Sequence, residues 1–186
     1  MKKLYLSFAN PETWRNNIKE EITKEEWKIL RLQILQRDSY TCKYCDFKAE
    51  KWQIVHHIDG NPNNNGHNNL ETVCQMCNLI HHSGQGCVVQ RVVDLFRKSK
   101  FNQNEIIQIT RKMRAIGKTD QEIIVHLGLQ ERVEFRMDKG YLEELFGFIT
   151  SREAEQEWTQ KSLAYGYSIQ NTNEKKSNQN LSKFFN

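Results

Sequence analysis

The chain has 186 residues, a formal net charge of +4 with its histidines neutral, and a pI near 8.7. That length has room for one compact domain or two small ones, and the mild basic bias favours polyanionic partners without approaching a histone-like charge density. No apolar run reaches the roughly 18 residues of a membrane-crossing helix. Met1-Lys-Lys leads into charged and polar residues instead of a signal-peptide core, so a cytoplasmic chain with reduced thiols is expected.

Residues 1–21 read as an N-terminal segment in which Pro11-Glu12-Thr13-Trp14 can open a short helix. A helix starts after Ile22: Thr23 can cap it, with Glu26 at the reciprocal capping-box position. Trp27, Leu30, Ile34 and Leu35 then recur at helical spacing until Arg37-Asp38, giving a stripe suited to packing on a core. Arg31 and Arg37 on this helix suit phosphate contact and plain solvation equally.

Two C-x2-C knuckles follow, Cys42-Lys-Tyr-Cys45 and Cys74-Gln-Met-Cys77. Zinc takes four tetrahedral ligands, and two such turns supply four thiolates. Four unrelated buried cysteines or two disulfides also fit the count, but in a reducing compartment paired knuckles more often hold metal. Cys87 remains over and reads as a small buried apolar residue.

The segment between the knuckles is Trp52-Gln-Ile-Val-His56-His57-Ile58, whose β-branched and aromatic residues suit a strand. Period-two alternation sends His56 and His57 to opposite faces. Asp59 to Asn69, rich in Asn and holding Gly60, Pro62 and Gly66, reads as a loop. Beyond a second strand, Gln75 to His82 lacks Gly and Pro and suits a short helix, on which Asn78 and His82 share a face. The expected order is strand, loop, strand, helix.

In these motifs Trp27 to Gly84 resembles the HNH endonucleases, whose fold is the ββα-metal motif. The resemblance implies an α+β fold, an HNH core stapled by a four-cysteine zinc site with flanking helices. It gives His57 as the general base, His56 as a metal ligand, and Asn69 as the side chain that braces the loop and orients the catalytic His. Asn78 takes the third motif position, where His is common, and His82 becomes the third ligand. His81 is left off that metal, since one helical turn cannot place both histidines on it. The implied chemistry is phosphodiester hydrolysis. A neutral imidazole has the pKa to take a proton from water, and a divalent ion on His56, Asn78 and His82 would polarise the phosphate and stabilise the leaving 3′ oxygen. The implied cofactors are structural Zn²⁺ on Cys42, Cys45, Cys74 and Cys77, and a catalytic Mg²⁺, Mn²⁺ or other divalent ion, with the nitrogen ligands suiting Mn²⁺, Co²⁺ or Ni²⁺ better than Mg²⁺.

The second half reads as helical. Asn104 is expected to cap a helix running to Ile116 and stopped by Gly117. Thr119 with Glu122 makes a second capping box for a short helix ending at Gly128. A third helix from Leu129 or Gln130 would complete a helix-turn-helix-like unit, with Gln130, Arg132 and Arg136 as candidate nucleic-acid contacts. A plain bundle packed on the core is the alternative. Leu142 to Ile149 continues as apolar packing.

These readings divide the chain at 1–21, 22–100 (nuclease with knuckles), 101–168 (helical, DNA-binding) and 169–186 (disordered, by its Asn, Lys, Gln and Ser content). The tail closes on Asn178-Gln-Asn-Leu181-Ser-Lys-Phe184-Phe185, which resembles the peptide that docks on PCNA-type sliding clamps, with Asn178 where Gln is usual. The expected function is a metal-dependent DNA endonuclease, with DNA, such a clamp and a second copy of the chain as partners. A zinc-stabilised DNA-binding module without cleavage, and a nuclease acting on RNA, are the alternatives.

Overall fold

A computed structural model describes residues 1–8 and 22–151. The expectations for Pro11 to Trp14, for the tail from 169 and for Leu181, Phe184 and Phe185 lie outside the described residues.

Helix α1, Lys24–Arg37, starts as its sequence requires. The Glu26 N–H donates to Thr23 Oγ1 at 3.2 Å, and the Thr23 N–H donates to Glu26 Oε2 at 2.9 Å. It stops at Asp38, because Ser39 and Tyr40 both take left-handed conformations, with φ of 53° and 54°. The chain thereby reverses into the first knuckle, which an isolated bridge between Thr41 and Lys48 closes. Strand β1, Gln53–His57, then pairs antiparallel with β2, Leu70–Cys74, in a register that sets His57 opposite Leu70, His56 opposite Glu71 and Gln53 opposite Cys74. Helix α2, Gln75–His81, follows β2 without a gap. The expected order of strand, loop, strand and helix is therefore present. Ile34 and Leu35 of α1 meet Val55 and Leu70 in one apolar cluster, flanked by Trp27, Leu30 and Tyr40.

A second sheet builds the other half. Strands β3 (Val93–Lys98), β4 (Gln130–Val133) and β5 (Phe146–Ile149) are all antiparallel, in the order β4-β3-β5. Between β3 and β4 lie α3, Gln103–Ala115, and α4, Asp120–Leu127; a short α5, Lys139–Glu143, precedes β5. Phe96, Ile106, Ile123, Leu127, Leu129 and Phe148 form the buried cluster between helices and sheet. The Thr119–Glu122 box caps α4 as expected, and Gly128 ends it at φ +64°. Two local expectations need correction. The cap of α3 is Asn102, in a reciprocal box with Glu105, and Asn104 lies inside the helix. The third helix of a helix-turn-helix does not form, because Gln130–Val133 is drawn into β4 by pairing with β3. The same sheet ties residues before position 100 to residues after it. The fold is α+β, with the four knuckle cysteines brought together.

The two halves meet around Gly86, in the wide turn Gln85–Val89 that leads into β3. A Cβ on Gly86 would sit 2.4 Å from Val93 Cγ2 and 3.2 Å from the Leu79 carbonyl oxygen. Val93 is β-branched and stiff at χ1, and a carbonyl of α2 cannot move alone. Gly86→Ala is expected to destabilise the fold by about 1–3 kcal/mol, the usual range for overpacking, read as a fall in thermal midpoint with unchanged metal content.

Candidate metal centre

The sulfur cluster arises from two different local structures. Cys42 and Cys45 sit in the turn after α1, held by the Cys42 N–H donating to the Phe47 carbonyl at 3.0 Å and the Asp46 N–H donating to the Cys42 carbonyl at 3.1 Å. Cys74 ends β2 and Cys77 lies in the first turn of α2. All four are buried, and their Sγ atoms lie within 4.8 Å of one another. A tetrahedral zinc–thiolate site with bonds of about 2.3 Å has edges of about 3.8 Å, and Cys45 Sγ lies 3.6 Å from Cys74 Sγ. Four thiols at this spacing cannot ionise independently. Cys42, accepting from the other three, is held far below the ordinary thiol value, whereas Cys77 and Cys74, both hydrogen-bonded to Cys42, are driven far above it. A divalent cation resolves the conflict by holding every ligand deprotonated. The donor set, its burial and its spacing fit Zn²⁺.

The histidines lie on β1 and at the end of α2. His56 faces α2, stacked on His81 with ring centroids 5.1 Å apart and edge-on to His82 at 5.2 Å. His57 faces α1 and lies flat on Trp27, centroids 5.8 Å apart and planes 9° from parallel. The expectation of opposite faces therefore holds. Two details differ from the expected ligand set. His81, left off the metal by the sequence reading, packs against His56 as closely as His82 does, and the Asn78 carbonyl accepts from the His82 N–H at 2.9 Å. Among the described residues, the four cysteines are the one group of three or more His, Cys and acidic side chains close enough to share an ion. Burial, reinforced by neighbouring His56, lowers His81 to about 4 and His82 to about 3, so both are neutral near pH 7.

The loop between the strands is braced by Asn69. Its amide donates to Asp59 Oδ1 at 2.9 Å and to the Asn64 carbonyl at 2.8 Å, and its Oδ1 accepts from the Asp59 N–H at 3.1 Å. The His57 ring is tied to the same loop, Nε2 donating to Asn65 Oδ1 at 3.0 Å. Burial, more than any other cause, holds its pKa below the ordinary imidazole value.

Two buried carboxylates lock the hairpin to its surroundings, and no local pattern in the sequence marks either. Glu71, inside a fully buried strand, accepts from the Tyr44 hydroxyl at 2.6 Å and from Lys2 Nζ at 2.5 Å, with His56 Nδ1 3.9 Å away. Burial pulls its pKa up, but the neighbouring His56 and the hydrogen bonds from Lys2 and Tyr44 outweigh it and hold the carboxyl at about 2. Asp38 receives the Thr72 N–H at 2.9 Å and pairs with Lys43 at 2.8 Å. Of the proposed nucleic-acid contacts, Gln130 is exposed on β4, Arg132 pairs with Asp94 at 2.6 Å, and Arg136 lies over the Tyr141 ring, 5.1 Å from its centroid.

Zinc removal is expected to unfold the hairpin half, because the cluster joins segments 29 residues apart. Elemental analysis should find one zinc per chain; Cys77→Ser should lose it and lower the thermal midpoint. Glu71 gives a pH signature. Its folded pKa lies below the ordinary carboxyl value, so its stabilisation is complete above about pH 5 and is lost as pH falls towards 2. The difference in thermal midpoint between the wild type and Glu71→Gln should be greatest near neutrality and close across that window; a constant difference would show that Glu71 is not held ionised.

No family model matches the chain. Over 69 residues it is 39% identical to the type 4 apparatus protein DotN of Legionella pneumophila subsp. pneumophila (strain Philadelphia 1). The match takes in 37% of this chain and 32% of that relative, so the chain matches about a third of the relative's length. This finding corrects the functional expectations. A relative named as part of a type 4 apparatus points away from a DNA endonuclease, from an enzyme and from the DNA-binding alternative. It points equally away from DNA and a sliding clamp as partners.

Proposed function

We propose that the chain is a zinc-stapled, non-enzymatic subunit of a multiprotein apparatus of the type 4 kind, built on a ββα framework of the HNH type. The likeness to the type 4 apparatus protein carries the assembly role. The geometry around the motif residues supports it. His57 is built into the framework, its Nε2 donating to Asn65 Oδ1 and one face of its ring lying on Trp27. Asn69 is fully engaged in tying Asp59 and Asn64. In this reading the motif residues keep their framework duties: Asn69 fixes the loop, His57 pins it to α1, and the cysteines hold Zn²⁺. A cytoplasmic location belongs to the same proposal, since reducing conditions preserve four thiolates for metal.

The test has two arms. Tagged chain purified from its own host in reducing, zinc-containing buffer should elute at high mass with other type 4 apparatus components, identified by mass spectrometry. Supercoiled plasmid incubated with the purified chain and Mg²⁺, Mn²⁺ or Ni²⁺ should stay intact. A chain that elutes alone, and that nicks plasmid in a metal-dependent way lost in His57→Ala, would overturn the proposal.

A further inference from the structure

Helix α3 turns a polar stripe towards the first knuckle. Asn104, Gln108 and Arg111 recur at the four- and three-residue spacing that places side chains on one helix face. The Asn104 amide donates to the Tyr44 carbonyl at 2.6 Å and to the Lys2 carbonyl at 2.7 Å, and its Oδ1 accepts from the Leu4 N–H at 2.9 Å. Gln108 Nε2 donates to the Cys45 carbonyl at 3.2 Å. Arg111 reaches furthest: its Nη2 donates to Cys74 Sγ at 3.4 Å, and its guanidinium lies over the Phe47 ring, 3.7 Å from the centroid. Its Nε is buried without a hydrogen-bond partner, and no carboxylate among the described residues pairs with it. A partly buried cation with no acid beside it among the described residues needs a counter-charge, and the neighbour that can supply one is the Cys74 sulfur as thiolate. Four thiolates around one divalent cation carry a net charge of −2, which burial makes costly.

We infer that Arg111 is the charge partner of the metal–thiolate centre, a positioning residue that raises zinc affinity and docks α3 on the knuckle in its metal-loaded form. The inference rests on the assignment of Zn²⁺ to the four cysteines. Phe47 seats the guanidinium, Cys74 receives its N–H, and the sheet half of the molecule is thereby tied to metal occupancy. Groups that hydrogen-bond to metal ligands typically change affinity by about 10–100-fold when removed.

The experiment compares the full chain with Arg111→Met, Arg111→Lys, Phe47→Leu and Gln108→Leu. Zinc affinity is read by chelator competition, and the cobalt-substituted proteins by their thiolate-to-metal charge-transfer bands. Arg111→Met should bind zinc about 10- to 100-fold more weakly and shift the band. Arg111→Lys should recover most of the affinity, and Phe47→Leu should weaken it in the same direction. Gln108→Leu, which loses contacts to the Cys45 carbonyl and Met1 Sδ but none to a cysteine sulfur, should leave both readouts near wild type. Wild-type affinity and an unmoved band in folded Arg111→Met would overturn the inference. Were Arg111→Met not to fold, wild-type zinc affinity and an unmoved band in folded Phe47→Leu would overturn it instead. A wild-type chain that takes up neither zinc nor cobalt would sink the zinc assignment itself, a result distinct from loss in the variants alone.

Discussion

The convergence of Cys42, Cys45, Cys74 and Cys77 is the constraint on which the rest of the hairpin half depends. Cys74 is at once the last residue of β2, the residue before α2 and a partner of Cys45. Fixing it fixes the register in which Gln53 faces Cys74, and that register carries His56 to α2 and His57 to α1. A two-stranded hairpin alone is marginal in water, and the apolar cluster of Ile34, Leu35, Val55 and Leu70 is small. A cross-link closing so long a loop limits the unfolded chain far more than it strains the folded one. Small modules with thin cores commonly rely on such a staple.

Charge inside this half is arranged around the same point. Glu71 and Asp38 lie on opposite sides of β2's start, each buried and each given donors from a different part of the chain. Leaving either unpartnered would cost several kcal/mol, which makes these networks exacting as well as stabilising. Lys2 shows how far the ties extend, since the N-terminal segment supplies a cation to Glu71, a carbonyl to Asn104, and Leu4 and Leu6 to the core. Arg111 belongs to the same pattern, a cation delivered from the sheet half to an anionic centre in the hairpin half.

What the sequence disclosed was local. Thr23 with Glu26 and Thr119 with Glu122 announce helix starts because both partners lie three residues apart. The knuckles announce a metal because spacing alone puts two sulfurs on one turn. Asn102 with Glu105 carried the same local signal and was passed over for Asn104, whose side chain is committed to Tyr44 and Lys2. The misread segment was nonlocal. Gln130–Val133 has no strong strand signature, Glu131 sits at φ +57°, and it is a strand only because β3 offers a partner more than 30 residues earlier. Glu71, His81 and Arg111 were illegible for the same reason, since each acquires meaning from a neighbour brought by tertiary packing.

The functional reading diverged from the motif for a physical reason. In a ββα hairpin an Asn that ties the loop and a His at the strand end are needed to hold the loop in place, whatever that loop later does. Asn69 and His57 meet that need through Asp59, Asn64, Asn65 and Trp27. Catalysis asks for something further: an imidazole nitrogen left open and an ion beside it. The bonds that hold the framework do not by themselves supply those features: His57 Nε2 donates to Asn65 Oδ1 whatever Nδ1 does. Residues that serve a framework first are kept for the framework's sake, so their pattern speaks for a strand, loop, strand and helix more securely than for a reaction.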